Sequence, residues 1–511
     1  MNFSLRYCIE RRYSKTKSKY LPLHNTNQSG RFFSLFDHDT LSSESGYRNT
    51  YQVQPNPDKI GGKTLRYKTS GLQPIFNYSL QRNYHTSEEF FMTPYRKLRL
   101  NYLGPGIVMA GTAIGTSHLI QATRAGADYG FQLLIIIVLV NLLKYPFFEF
   151  GHRYPAATRE NLLDGYARMG KGFIHVFIAF AAVSSIVAIA TVTLVTAAII
   201  SYLFGSKLGT TELSALIMAT CASLLTIGHY KWLDRSMKVI MAVLFLATFT
   251  AFSIALSHGP IAANHYATPS AWNIANLGFI IALMGWMPAP IEISVMQSLW
   301  LQAKEKVVGQ TTNANDAKID FNIGYFLTVT LAVIFLSLGA LVMHGTGVAF
   351  ASSGIEFTRQ LVQIYRSTLG EWAGPIVGTA ALATMFSTTL AVIDGYPRCL
   401  TAASQLVTSR CKLSFRHLYV IYLTGSCVPA LLIINAYANQ LTALIDLVTI
   451  MSFLIAPFFA FMNYKLIFST HTPDAFQPGI CLRLLSWCGL AFFIALGMLF
   501  LIFRFSPGLP H

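Results

Sequence analysis

The stretch Gly104–Gly130, GPGIVMAGTAIGTSHLIQATRAGADYG, is apolar enough to enter a membrane but carries a weak point in its middle. Between Gly111 and His118 it gathers Gly111, Thr112, Gly115, Thr116 and Ser117. Glycine costs a helix interior about 1 kcal/mol per residue relative to alanine, and hydroxyl side chains compete for backbone hydrogen bonds. The expectation is a spanning helix that unwinds near mid-membrane. A second stretch, Leu277–Trp300 (LGFIIALMGWMPAPIEISVMQSLW), breaks for a firmer reason. Pro288 and Pro290 remove two backbone donors and clash with the preceding turn.

The rest of the chain supplies the setting for these two breaks. Of 511 residues, 53% are hydrophobic and only 12% charged, about half the charged share of an ordinary soluble domain. The charges avoid long apolar runs such as 172–203 and 325–343, each matching the roughly 20 residues that a spanning helix needs. Lipid offers backbone groups no partners, so these runs read as helices. The alternation of a membrane β-barrel is absent. The predicted fold is an all-α polytopic membrane protein of about eleven spans, at 104–123, 129–151, 172–203, 212–229, 236–257, 273–300, 321–345, 371–394, 416–434, 440–464 and 482–504.

Loop charges orient it. With the N-terminus inside, one set of loops holds Arg153, Arg159, Arg168, Lys171, Lys231, Arg235, Lys238, Lys304, Lys306, Lys318, Arg398, Arg410, Lys412, Arg416, Lys465 and Arg483. The other has Arg124, Lys207, Arg359 and Arg366, with Arg504 at the C-terminal end. Positive loops stay inside, which sets the N-terminus on the inner, cytoplasmic face. The two breaks then fall in the first and sixth spans, as expected of a five-plus-five inverted repeat with one added helix. Interrupted helices at matched positions point to a substrate site near the bilayer midplane, and so to a secondary transporter.

Residues 101–511 form the transmembrane domain; residues 1–100 differ in kind. They hold 16 Lys/Arg against 7 Asp/Glu, a net +9 of the chain's +16, so the charge reflects a basic tail rather than a nucleic-acid surface. The opening MNFSLRYCIERRYSKTKSKY is basic, hydroxyl-rich and poor in acids. That is the composition of an organellar presequence leading to the mitochondrial inner membrane; the other reading is a disordered tail facing anionic lipid. Seven scattered cysteines show no CxxC pair and read as packing residues. The absence of HExxH, GxSxG or a phosphate loop argues against an enzyme.

The residues around the first break resemble the natural resistance-associated macrophage protein (NRAMP) family of divalent-metal transporters, whose fold is LeuT-like. The resemblance rests on Gly104-Pro105-Gly106, Ala125-Gly126-Ala127, the run 153–158, Met287-Pro288 and Asp394-Gly395. It implies alternating-access transport of a divalent transition metal such as manganese or iron, with proton coupling open and no resident cofactor. The departures lie in the centre. The family's Asp-Pro-Gly-Asn stands in register with Gly115-Thr116-Ser117-His118, and its Met-Pro-His with Met287-Pro288-Ala289. No acid lies in the third span, where the family places a proton-pathway Glu.

The expected metal ligands are therefore His118 through its imidazole, Met287 through its thioether and Glu292 as the one acid of the sixth span. Oxygens of Gly115, Thr116, Ser117 and Ala289 complete the set. Glu149, Asp394 and Arg398 are candidates for a proton route or gate, with Asp446 a weaker one. Lys144, His152 and Arg153, with Glu149, read as an inner-end group that either forms an ion-paired gate or snorkels toward the interface. The competing function is an amino-acid or other organic-solute permease of the same superfold, with the hydroxyl-rich first break binding a carboxylate and Glu292 an amine. If residues 1–100 are a presequence, a fluorescent protein fused to them enters mitochondria, and glutamine at Arg6, Arg11 and Arg12 releases it to the cytosol; a diffuse intact fusion leaves the tail reading.

Overall fold

The computed structural model describes residues 104–227, 230–262, 266–308, 311–407 and 413–505. The expectations for residues 1–100 lie outside these. Among the described residues every regular element is helical. In chain order they are α1 (Pro105–Ala113), α2 (Thr123–Tyr129), α3 (Leu134–Thr158), α4 (Leu162–Met169), α5 (Lys171–Phe204), α6 (Thr210–Ile227), α7 (Tyr230–His258) and α8 (Leu277–Gly285). They continue with α9 (Ile293–Val308), α10 (Ala314–Leu338), α11 (Gly354–Leu369), α12 (Ala373–Val407), α13 (Phe415–Ala436), α14 (Leu441–Ile467) and α15 (Ile480–Phe505).

Seven of these are long and apolar enough to cross a membrane unbroken: α3, α5, α10 with its π-helical extension to Met343, α12, α13, α14 and α15. Four predicted spans remain. The first and sixth are interrupted, as α1 with α2 and α8 with α9. The fourth and fifth correspond to α6 and α7. Two further helices, α4 and α11, were not anticipated. In α11 the buried Phe357, Leu361, Val362, Ile364 and Tyr365 recur at helical spacing between exposed Arg359 and Gln363. That amphipathic pattern is lost in a search for continuous apolar runs.

The interrupted helices are held by close backbone contact. Between helices in lipid the hydrophobic effect contributes little, and small residues that let backbones approach take its place. A Cβ on Gly126 would stand 1.9 Å from the Leu336 carbonyl oxygen, and one on Gly339 would stand 2.2 Å from that of Thr123. These two glycines clasp α2 to the end of α10. Gly285 at the end of α8 likewise abuts Thr449 of α14, whose carbonyl oxygen lies 1.8 Å from its Cβ position. The start of α1 is fixed by charge: Asp320 of α10 accepts hydrogen bonds from the amides of Gly104 (2.9 Å) and Gly106 (2.7 Å). A carboxylate there satisfies orphan donors and complements the helix dipole.

These contacts make opposite predictions for two alanines. Gly425 of α13 has open space at its Cβ position, so Gly425→Ala should be neutral or gain up to about 1 kcal/mol of helix propensity. Gly126→Ala gains the same propensity but must part α2 from α10, a net loss of about 1–3 kcal/mol. Thermal unfolding in detergent checks the pair, and equal midpoints would show that the clasp carries no stability.

Candidate transport site

Where α1 stops at Ala113, its orphan carbonyls are taken up locally. The amide of Ile114 donates to Ala110 at 2.8 Å, and that of Gly115 folds back to Ala113 at 2.9 Å. The Ser117 hydroxyl adds a bond to Ala113 O at 3.2 Å, and Thr388 of α12 donates across to Gly111 O at 3.3 Å. The chain then resumes as a π-helical turn, Ser117–Ala122, running into α2. In the sixth span, α8 ends at Gly285 and regular helix resumes at Ile293, so the interruption covers both prolines. The amides of Ile293, Ser294 and Val295 restart the ladder on the carbonyls of Pro290, Ile291 and Glu292.

A small cavity lies between the two interruptions. Thr112, Ala113, Gly115, Thr116 and Ser117 line it from the first, and Trp286, Pro288, Ala289, Pro290 and Ile293 from the second. The far walls come from Ala188 and Val192 of α5 and from Thr388, Val392 and Tyr396 of α12. Those two long helices pack along each other and are tied by Thr389, whose hydroxyl reaches Thr196 Oγ1 (2.8 Å) and Val192 O (3.1 Å). The lining holds four Ser or Thr residues, two prolines and two aromatic rings, and the surface it presents is almost wholly apolar. Thr116 Oγ1 is buried there without a hydrogen-bond partner.

Of the seven expected ligands, Gly115, Thr116, Ser117 and Ala289 line the cavity, while His118, Met287 and Glu292 are buried outside its lining. Both ring nitrogens of His118 are engaged, Nδ1 with Ser117 Oγ at 2.8 Å and Nε2 with the Thr328 carbonyl of α10 at 3.0 Å. Glu292 Oε1 accepts from the hydroxyl of the cavity residue Tyr396 at 3.2 Å. Ser184 of α5 also acts on this carboxylate, yet Oε2 has no partner of hydrogen-bonding geometry. Among the described residues no three His, Cys, Asp or Glu side chains converge.

The gate candidates are paired elsewhere. Glu149 is held by Arg153 in a forked contact of 2.6–2.9 Å, and Arg153 also reaches Phe476 O at 3.1 Å. Asp394 is forked by Arg398 at 2.6 and 2.9 Å and accepts from Tyr419 at 2.9 Å. Asp446 of α14 binds Arg124 of α2 at 2.8 and 3.1 Å and Gln121 at 2.9 Å. Arg124 in turn lies 4.5 Å over the ring of Phe279 in α8.

Two of the inner-end residues do not snorkel. His152 is buried with neither ring nitrogen partnered, packed 5.0 Å from the ring of Phe321. Lys144 is fully buried, and its ammonium donates to the carbonyls of Met284 (2.8 Å), Gly285 (2.7 Å) and Ala289 (3.2 Å). The sequence reading placed both by distance from the end of a span, and α3 runs further inward than that reading allowed. It also overlooked Thr388, Tyr396 and Trp286. The triplet Ser387-Thr388-Thr389 inside an apolar span was the available signal for α12, since hydroxyls at membrane depth seek partners on neighbouring helices. Trp286 carried none: its indole bonds Ser452 Oγ of α14 at 2.7 Å, a contact far apart in sequence.

Comparison with known proteins agrees with this architecture. The chain is 41% identical over 368 residues to an uncharacterized protein of Pasteurella multocida, covering 71% of this chain and 84% of that one. A manganese transporter of Eremococcus coleocola, solved with an aromatic bis-isothiourea compound, superposes with a TM-score of 0.62 at 14% identity, over 82% of this chain and 91% of that one. MhsT in complex with L-phenylalanine superposes with a TM-score of 0.54 at 14% identity, over 80% of this chain and 99% of that one. The model of the natural resistance-associated macrophage protein-like family matches residues 106–503, and the chain belongs to that family.

Proposed function

We propose that this multi-pass membrane transporter carries divalent transition-metal cations through the cavity between its two broken helices by alternating access. Family membership carries the reading, and the E. coleocola neighbour, a manganese transporter, suggests the type of ion. Gly115, Thr116, Ser117 and Ala289 line the cavity and would offer oxygens to the cation, the Ala289 carbonyl only once it parts from the Lys144 ammonium that now donates to it at 3.2 Å. Glu292 would supply the negative charge from behind Tyr396, the hydroxyl it now holds. Met287 and His118 complete the set only after local rearrangement, and His118 must first leave Ser117 and Thr328. Glu149 with Arg153, and Asp394 with Arg398, would serve as proton or gating pairs. The N-terminus would lie on the inner face, in the mitochondrial inner membrane if residues 1–100 act as a presequence.

A second reading, an organic-solute permease, is favoured by one observation. The cavity lining has hydroxyls and two aromatic rings but no acid, histidine or cysteine. Uptake by purified protein in liposomes separates the two. Labelled manganese should enter against a panel of competing divalent ions, and Glu292→Gln should cut that uptake about tenfold or more in a folded protein, because a lone buried acid supplies the site's charge. Absence of metal uptake, with entry of an amino acid, would establish the permease instead.

Alternating access needs a closed side, and the Arg124–Asp446 pair joining α2 to α14 is its candidate. In a background without native cysteines, Thr388→Cys places a thiol in the cavity wall. Adding Asp446→Asn should speed its reaction with a charged, membrane-impermeant thiol reagent several-fold from the side where α2 ends. An unchanged rate would remove the pair from the gate.

A further inference from the structure

We propose that Lys144 is a tethered monovalent cation, its ammonium filling a carbonyl site at the sixth-span break that a small inorganic cation would otherwise fill. The chain creates the need for one there. In an unbroken helix Met284 O would accept from the amide of residue 288, but that residue is proline and has no N–H. Gly285 O would accept from residue 289, beyond the end of α8. These carbonyls form the negative end of the α8 dipole and lie at membrane depth, where unpartnered backbone groups are costly.

Lys144 meets that need from a different helix. An ammonium has three donors, and the three acceptors at 2.7–3.2 Å match them one for one. The residue is fully buried. Its acceptors lie on both sides of the first proline, so the contact fixes the angle at which the chain leaves α8. Ala289 also lines the cavity, so the carbonyl site borders the transport route. It follows that the break stays formed without sodium or potassium, and that removing the ammonium creates a dependence on such an ion.

Lys144→Met is the direct test. Methionine keeps the apolar stem and ends one atom short, leaving room at the Nζ position beside three carbonyls, of which Met284 O keeps only the long contact from the Met287 amide at 3.4 Å. Purified full-length protein is unfolded thermally in sodium, potassium and choline chloride at equal ionic strength. The native protein should give one midpoint in all three salts. Lys144→Met should unfold several degrees lower in choline and recover with sodium or potassium in a saturable manner, since ligand bound to the folded state raises its stability by mass action. Lys144→Gln, which keeps two N–H donors, should show a smaller salt effect of the same sign. Loss of packing alone would lower the midpoint equally in every salt. Equal midpoints for Lys144→Met in the three salts, or failure of both variants to fold in all of them, overturns the proposal. Recovery of folded protein only when sodium or potassium is present supports it.

Discussion

A backbone amide or carbonyl that loses its helical partner inside a bilayer has no water to turn to. Each interruption in this chain is accordingly answered by a particular side chain from another helix. Asp320 of α10 takes the two free amides at the start of α1. Thr388 of α12 takes Gly111 O where α1 ends. Lys144 of α3 takes three carbonyls around the proline break. The answers differ in charge because the needs differ: amides call for an acceptor, a helix C-terminus for a donor, and two prolines in three residues for several donors at once.

The same contacts decide what can move. α2 is clasped to α10 through Gly126 and Gly339, and α8 to α14 through Gly285. α5 and α12 form the opposite wall, bonded through Thr196 and Thr389. The cavity lies between that wall and the two interruptions. The ion pair of Arg124 with Asp446 spans α2 and α14.

The chemistry of the cavity is softened compared with what an acid-rich metal site would offer. Its acid sits one layer back, in the buried Glu292 that accepts from Tyr396. Ser and Thr residues line the space, but the surface they turn toward it is almost wholly apolar.

Local composition alone determined the membrane setting, the two broken spans and the family, because each follows from residues adjacent in sequence: apolar runs, a glycine and hydroxyl cluster, two prolines, and short motifs such as Met287-Pro288. It also singled out Gly115, Thr116, Ser117 and Ala289, which the cavity does expose. Tertiary structure decided the rest. Whether His118 faces the cavity or turns to Thr328, 210 positions away, depends on how α10 packs. Whether Lys144 snorkels or crosses to α8 depends on where α3 lies beside the break. A side chain in lipid takes whatever partner the neighbouring helix presents, and that neighbour is set by backbone contacts such as Gly126 against Leu336, which no single segment of the sequence contains.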